Sequence, residues 1–254
     1  MKYIEFEEID STNTYIHDHY QELDDDTIVR AHYQTHGRGR SNHIWEADKN
    51  EQLLFSYYMK QNVDPLKVSA IMAYAIVTVL RMKQINAFIK WPNDIYINNQ
   101  KIAGILVETI YESTLQGIII GIGLNISKGS YYSLSDVINH PIDKEKLMLN
   151  IIDTFKNMLH MPFASLLDGM NRHSYLRGKT IPYKEYGLVK FLYLDENCHL
   201  VIEDENKKKH LSNYEMELGY CLFCGLCVES CPSKALQVTS DFELSAYSRA
   251  KTKL

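Results

Sequence analysis

The chain has 254 residues, 45% of them hydrophobic and 23% charged, and a net charge of −5. That is enough for one large domain and a small one around a substantial core, and the acidic balance argues against general nucleic-acid binding. No apolar run approaches the length of a bilayer span, and the acidic, alternating start (Met1-Lys2-Tyr3-Ile4-Glu5) reads as neither signal nor transit peptide; a cytoplasmic protein without a membrane partner is expected.

In chain order, Ile4 to Ile9 alternates like a strand and runs into Asp10-Ser11-Thr12-Asn13, a cluster of good helix N-caps. A strand around Ile28 to His32 leads into Gln34-Thr35-His36-Gly37-Arg38-Gly39-Arg40, a glycine-rich basic loop, and Gln52 to Met59 reads as a further strand. Residues 66 to 84 carry apolar positions at helical spacing with small residues between them, which predicts a largely buried helix. Asp94 to Ile97 and Lys101 to Val107 flank Asn98-Asn99, residues that tolerate the left-handed conformation, so a β-hairpin is predicted. Gly117 to Ile126 reads as a buried strand and residues 143 to 160 as an amphipathic helix. After Gly178 the pattern changes to short strands: Thr180 to Tyr183, Leu188 to Leu194, Leu200 to Glu203 and Lys208 to Leu211. They predict a small β-barrel appended to a main α+β domain, with the boundary near Arg172 to Gly178.

Two local patterns point to chemistry. In Gly37-Arg38-Gly39-Arg40, glycines let the backbone approach an anion and arginine forks match phosphate or carboxylate oxygens; a solvated basic loop is the plainer alternative. In the hairpin, a two-residue turn pairs Tyr96 with Lys101 and Asp94 with Ala103. Alternation then sets Asp94, Tyr96 and Lys101 on one face and Ile95, Ile97 and Ile102 on the other. A lysine can stabilise charge on carboxylate and phosphate while a carboxylate orients or deprotonates an amine; a structural cross-strand ion pair accounts for the same residues.

Lys90-Trp91-Pro92-Asn93-Asp94, then Lys101-Ile102-Ala103-Gly104-Ile105-Leu106-Val107-Glu108, resembles the signature of the biotin–protein ligase family. Ser11-Thr12-Asn13, Gln34 through Arg40, and Gly121-Ile122-Gly123-Leu124-Asn125 do so as well, in the family's order, over about residues 1 to 218. The resemblance implies an α+β catalytic domain, residues 1–172, with a mixed sheet like that of class II aminoacyl-tRNA synthetases, and an SH3-like β-barrel, residues 173–218. It implies an ATP-dependent enzyme that forms biotinyl-5′-AMP with Mg²⁺ and passes biotin to a lysine of a carboxylase's biotin carboxyl-carrier domain; a homodimer is compatible with it. Ser11, Thr12, Asn13, Gln34, Gly37, Arg38, Arg40, Lys101 and Gly104 match biotin-side positions. Arg38, Arg40, Trp45, Asn93, Lys101 and Asn125 match ATP-side positions, and Lys101, Asp94 and Arg40 the catalytic ones. Gly104, Gly121 and Gly123 look like places left small for ligand, or for tight strand packing. The family often carries a second Gly-Arg before the Trp, where this chain has Ser41-Asn42-His43-Ile44-Trp45, and a neutral His43 would weaken the phosphate grip. The first motif arrives at Ser11, leaving no room for the DNA-binding helix-turn-helix of some members, so DNA is not an expected partner. A lipoate or octanoate ligase shares the acyl-adenylate strategy and is the near alternative.

The last segment is of another kind. Cys221-x₂-Cys224-x₂-Cys227-x₃-Cys231-Pro232 is a specific pattern for a [4Fe–4S] cluster, although four thiolates suit zinc too. In two-cluster ferredoxins the fourth Cys of such a run serves the other cluster, and here there is no second run; Cys231 folds back, or Cys198 substitutes, or the site is incomplete. Gly219 to Arg249 resembles half of the ferredoxin-like iron–sulfur subunit of respiratory complex I, which makes residues 219–254 a fused ferredoxin-like tail and an iron–sulfur electron-transfer protein the rival reading.

Overall fold

The computed structural model describes residues 2–40, 44–61, 63–183, 187–207 and 209–211. The Cys221–Cys231 run and His43 lie outside the described residues.

Strand β1 (Lys2–Ile9) ends at Ser11, which caps helix α1 (Thr12–His19) by accepting the Thr14 N–H. Strands β2 (Thr27–Gln34) and β3 (Gln52–Met59) follow, the latter buried at every position. Helix α2 (Pro65–Met82) starts with Asp64 as N-cap and proline in its first turn. Strand β4 (Phe88–Lys90) precedes the hairpin of β5 (Asp94–Ile97) and β6 (Gln100–Tyr111), and β7 (Leu115–Asn125) returns beside it. Helices α3 (Lys144–Leu159) and α4 (Phe163–Arg172) complete the main unit. Strands β8 (Thr180–Pro182), β9 (Leu188–Leu194), β10 (Leu200–Glu203) and β11 (Lys209–Leu211) form the appended part.

The main sheet has seven strands in the order β1-β2-β3-β7-β6-β5-β4; β1 runs parallel to β2 and every other neighbouring pair is antiparallel. One face carries Ile28, Phe55, Ile95, Ile105, Ile120 and Ile122 into a core shared with α2 and α3. On the other face α1 packs over β2, β3 and β7 through Ile16, Val29, Tyr58 and Ile119. Helix α2 has the length and mean hydropathy of a membrane span, against the expectation of no such run, yet Val68, Met72, Ile76, Leu80 and others are buried inside the protein. It is a core helix because both the sheet and α3 lie against it.

Asn98 and Asn99 both take positive φ (48° and 64°) in a two-residue turn, as the residue types require. The register beyond it differs from the simple ladder. Tyr96 faces Lys101, but Ile95 faces Ala103 and Asp94 faces Gly104, because a bulge makes Ile102 an extra residue on β6. Ile102 is wholly buried; the core takes the additional side chain.

The appended strands pair as an antiparallel meander, β11-β10-β9-β8, with no β8–β11 pairing closing a barrel among the described residues. Their join to the main unit is pinned: Ile89 donates to the His173 carbonyl and accepts from Tyr175 N–H, so residues 173–175 extend the edge at β4. Helix α4, strand β4 and the short turn Leu134–Asp136 have no counterpart among the elements predicted from sequence.

Candidate active site

The outer face of the central strands holds a cleft of about 460 Å³, counted with its open mouth, lined among others by Thr12, Asn13, Gln34, Arg38, Trp45, Asn93, Lys101, Gly104, Gly121 and Gly123. Its floor is a chain of hydrogen bonds. Gln34 Oε1 accepts from the Thr12 backbone N–H (2.7 Å) and lies 3.0 Å from the Thr12 hydroxyl; that hydroxyl is 2.6 Å from the hydroxyl of Ser56, which donates to Asn13 Oδ1 (2.5 Å) and so is left to accept from Thr12. Asn13 Nδ2 donates to Glu108 Oε2 (2.7 Å), and Glu108 Oε1 accepts from Arg38 Nη2 (2.7 Å). Four segments distant in sequence are tied together by polar groups that burial would otherwise penalise.

The mouth is built from β5, β6 and the basic loop. Lys101 Nζ lies 2.8 Å from Asp94 Oδ1 and 5.3 Å from the centre of the Trp45 ring. Arg40 Nη1 donates to Asn93 Oδ1 (3.4 Å), whose amide in turn donates to the Ile105 carbonyl (3.0 Å). Arg40 and Lys101 are therefore brought to one opening. The loop closes on itself where Trp45 N–H donates to the Gly37 carbonyl (2.9 Å). A Cβ on Gly37 would stand 2.4 Å from the Trp45 carbonyl oxygen, so this approach needs glycine.

Ser11, Thr12, Asn13, Gln34, Arg38, Trp45, Asn93, Lys101 and Gly104 all line the cleft, while Asp94 and Arg40 are not among the lining residues but contact two of them, Lys101 and Asn93. Gly104, Gly121 and Gly123 line the cleft and are closely packed as well: Cβ atoms on Gly104 and Gly123 would come within 2.8 and 2.4 Å of the Trp45 indole, and one on Gly121 would meet Asn13, so room for a ligand and tight packing both fit these positions. Two other expected positions lie off the cleft. Gly37 is buried under the Trp45 backbone rather than lining the cleft. Asn125 is buried at the end of β7, outside the lining residues, with its amide donating to the Tyr132 carbonyl (3.0 Å). Sequence reasoning missed Ser56 and Glu108. Ser56 is a polar residue in the otherwise apolar run Leu53-Leu54-Phe55, and Glu108 the single carboxylate in Ile105-Leu106-Val107-Glu108; an isolated polar residue in a buried strand is the signal that points to them.

Cys198 is only 4% exposed, and burial pushes its thiol up to about 12. Among the described residues no group of three His, Cys, Asp or Glu side chains is placed to hold a metal ion.

Residues 5–125 match the model of the biotin/lipoate A/B protein ligase family, and residues 216–237 that of a 4Fe-4S binding domain. The chain is 29% identical to the bifunctional ligase/repressor BirA of Bacillus spizizenii, over 76% of this chain and 66% of that protein, so it spans slightly under two thirds of that relative's length. It shares the fold of the Aquifex aeolicus biotin protein ligase determined with biotin and ATP, with a TM-score of 0.72, 22% identity, and coverage of 83% of this chain and 96% of that one. A separate stretch, 18% of the chain, is 51% identical to NAD(P)H-quinone oxidoreductase subunit I of Gloeobacter violaceus, covering 22% of that subunit.

Proposed function

We propose, from the match of residues 5–125 to the biotin/lipoate A/B protein ligase family, that this chain is an ATP-dependent biotin–protein ligase acting on a carrier domain of a carboxylase. The observation that carries the reading is the convergence of Lys101, Asp94, Arg38 and Arg40 at one mouth above a polar floor.

In the first step the biotin carboxylate attacks the α-phosphate of ATP and pyrophosphate leaves. Arg38 and Lys101 supply positive charge for the carboxylate and the phosphate, and the floor residues Ser11, Thr12, Asn13 and Gln34 offer polar partners to the biotin head. Arg40, Asn93 and the Trp45 ring serve the nucleotide side. Positioning and charge stabilisation dominate such a reaction. In the second step the acceptor lysine amine attacks the mixed anhydride and AMP leaves, with Asp94 orienting the amine or taking its proton. The described residues offer no protein cage for Mg²⁺; it would arrive on the nucleotide's own phosphates, and none of these roles runs through it. Residues 1–172 serve as the catalytic domain and 173–218 as the small C-terminal one, in a cytoplasmic enzyme.

Incubation with biotin, Mg-ATP and a purified biotin carboxyl-carrier domain, read by mass spectrometry, tests this: the carrier gains one biotin, and an unmodified carrier with no pyrophosphate released overturns the reading. Titration with biotin against lipoate separates the two substrates that the family's description joins. A second reading, an added iron–sulfur centre on Cys221, Cys224, Cys227 and Cys231, is favoured by the match over 216–237; iron content and visible absorbance of anaerobically purified protein decide it.

A further inference from the structure

Beside the mouth, the outer face of β4 and β5 continues as a basic and aromatic surface. Lys90 donates to the Tyr96 hydroxyl (2.9 Å), the Tyr96 and Tyr175 rings lie 4.8 Å apart, and Lys179 Nζ stands 3.2 Å from the centre of Tyr175. Tyr175 is held from its other end by Asn99, whose side-chain oxygen accepts its hydroxyl (3.1 Å), and Arg177 is exposed close by in sequence. The surface is contiguous with the reaction centre: Lys90 faces Asp94 and Tyr96 faces Lys101 across the sheet. Helix α1 covers the far end of this face, over β2, β3 and β7, and the helix packed on β4 and β5 is α2, on the opposite side with Ile89, Ile95 and Ile97.

The charges here run against those of the whole chain. Through β4, β5 and residues 173–179 the one carboxylate is Asp94, already paired with Lys101, against Lys90, Arg177 and Lys179, in a chain whose net charge is −5. Tyrosines that are half-buried and held by hydrogen bonds give contact area at little entropic cost, and flanking cations select the sign of the partner.

Resting on the ligase reading above, we infer that Lys90, Tyr96, Tyr175, Arg177 and Lys179 form the docking surface for an acidic acceptor domain, which seats its lysine against Asp94. The cations steer encounter and the tilted tyrosine pair supplies the contact. A surface of this kind raises the rate of productive encounter without touching the adenylation chemistry.

The test uses the full chain carrying Arg177→Glu and Lys179→Glu, with Arg177→Gln and Lys179→Gln as a neutral pair in case reversal disturbs folding. Three quantities are measured: pyrophosphate release with biotin and Mg-ATP, trapping of the acyl-adenylate by hydroxylamine, and transfer to an acidic biotin carboxyl-carrier domain across a salt series. The expected result is unchanged release and trapping, with kcat/KM for the carrier lowered on the order of 10-fold and its salt dependence flattened; the neutral pair shows a smaller loss in the same direction. Equal transfer rates and equal salt slopes for wild type and both pairs overturn the docking surface. Absence of pyrophosphate release by the wild type overturns the ligase reading beneath it, which is a different and separable failure.

Discussion

At the floor of the cleft Thr12, Asn13 and Ser56 are almost wholly buried, and they form one hydrogen-bonded chain from Gln34 to Glu108. At its mouth Lys101 and Arg38 keep 40% and 51% of their side-chain surface in solvent, paired with Asp94 and Glu108. Breaking a buried polar chain leaves groups desolvated without a partner, which is expensive; separating a half-exposed ion pair costs little. The floor is thus fixed in shape before any ligand arrives, while the cations at the mouth are free to exchange a carboxylate of the chain for a carboxylate or phosphate of a substrate.

Substitutions at the two places should separate accordingly. The largest effect falls at the mouth on chemistry alone: Lys101→Ala should lower pyrophosphate release more than 100-fold, a loss of about 3 kcal/mol of transition-state stabilisation, with its denaturation midpoint close to that of wild type. Near-normal release would remove Lys101 from the reaction. Ser56→Ala reverses the pattern. It strips Asn13 Oδ1 of its donor inside the protein, and chemical denaturation should show a loss of about 1–3 kcal/mol together with weaker biotin binding in calorimetry. If stability is unchanged, the floor is not the locked element described.

Gly123→Ala probes the join between the two places, since its Cβ would stand 2.4 Å from Trp45 Cε2. The half-buried ring can move outward, so the cost should be about 1 kcal/mol, accompanied by a shift of tryptophan emission as the indole leaves Gln52, to which it donates at 3.0 Å. Emission identical to wild type would mean that the ring does not rest there. The smallest change in stability belongs to Arg38→Ala, within about 1 kcal/mol of wild type because its pair with Glu108 is exposed, even though substrate affinity falls; a large destabilisation would make that pair structural.

Much of this was legible in the sequence. Strand-like runs gave β3 and β9 to the residue, period-3.6 patterns gave the central helices to within a residue or two, and Asn98-Asn99 announced the hairpin turn because few other residues accept positive φ twice in succession. The ordered motifs named most of the cleft-lining residues. Strand β4 was missed because three residues are too few to show a period, and α4 because its run follows Met161-Pro162, which reads as a break. The bulge at Ile102 escaped because local alternation cannot see that the core has room for one more side chain.

The amino-acid order by itself determined where the turns and caps fall and which residues carry charge, since these depend on local backbone preference and on side-chain chemistry. Only the tertiary structure decided which of those residues meet. Asn13, Ser56 and Glu108 share hydrogen bonds across 43 to 95 positions of sequence, and Trp45 fills the space of glycines on two other strands. Such contacts follow from strand order and register, which are set by the packing of the whole sheet against its helices.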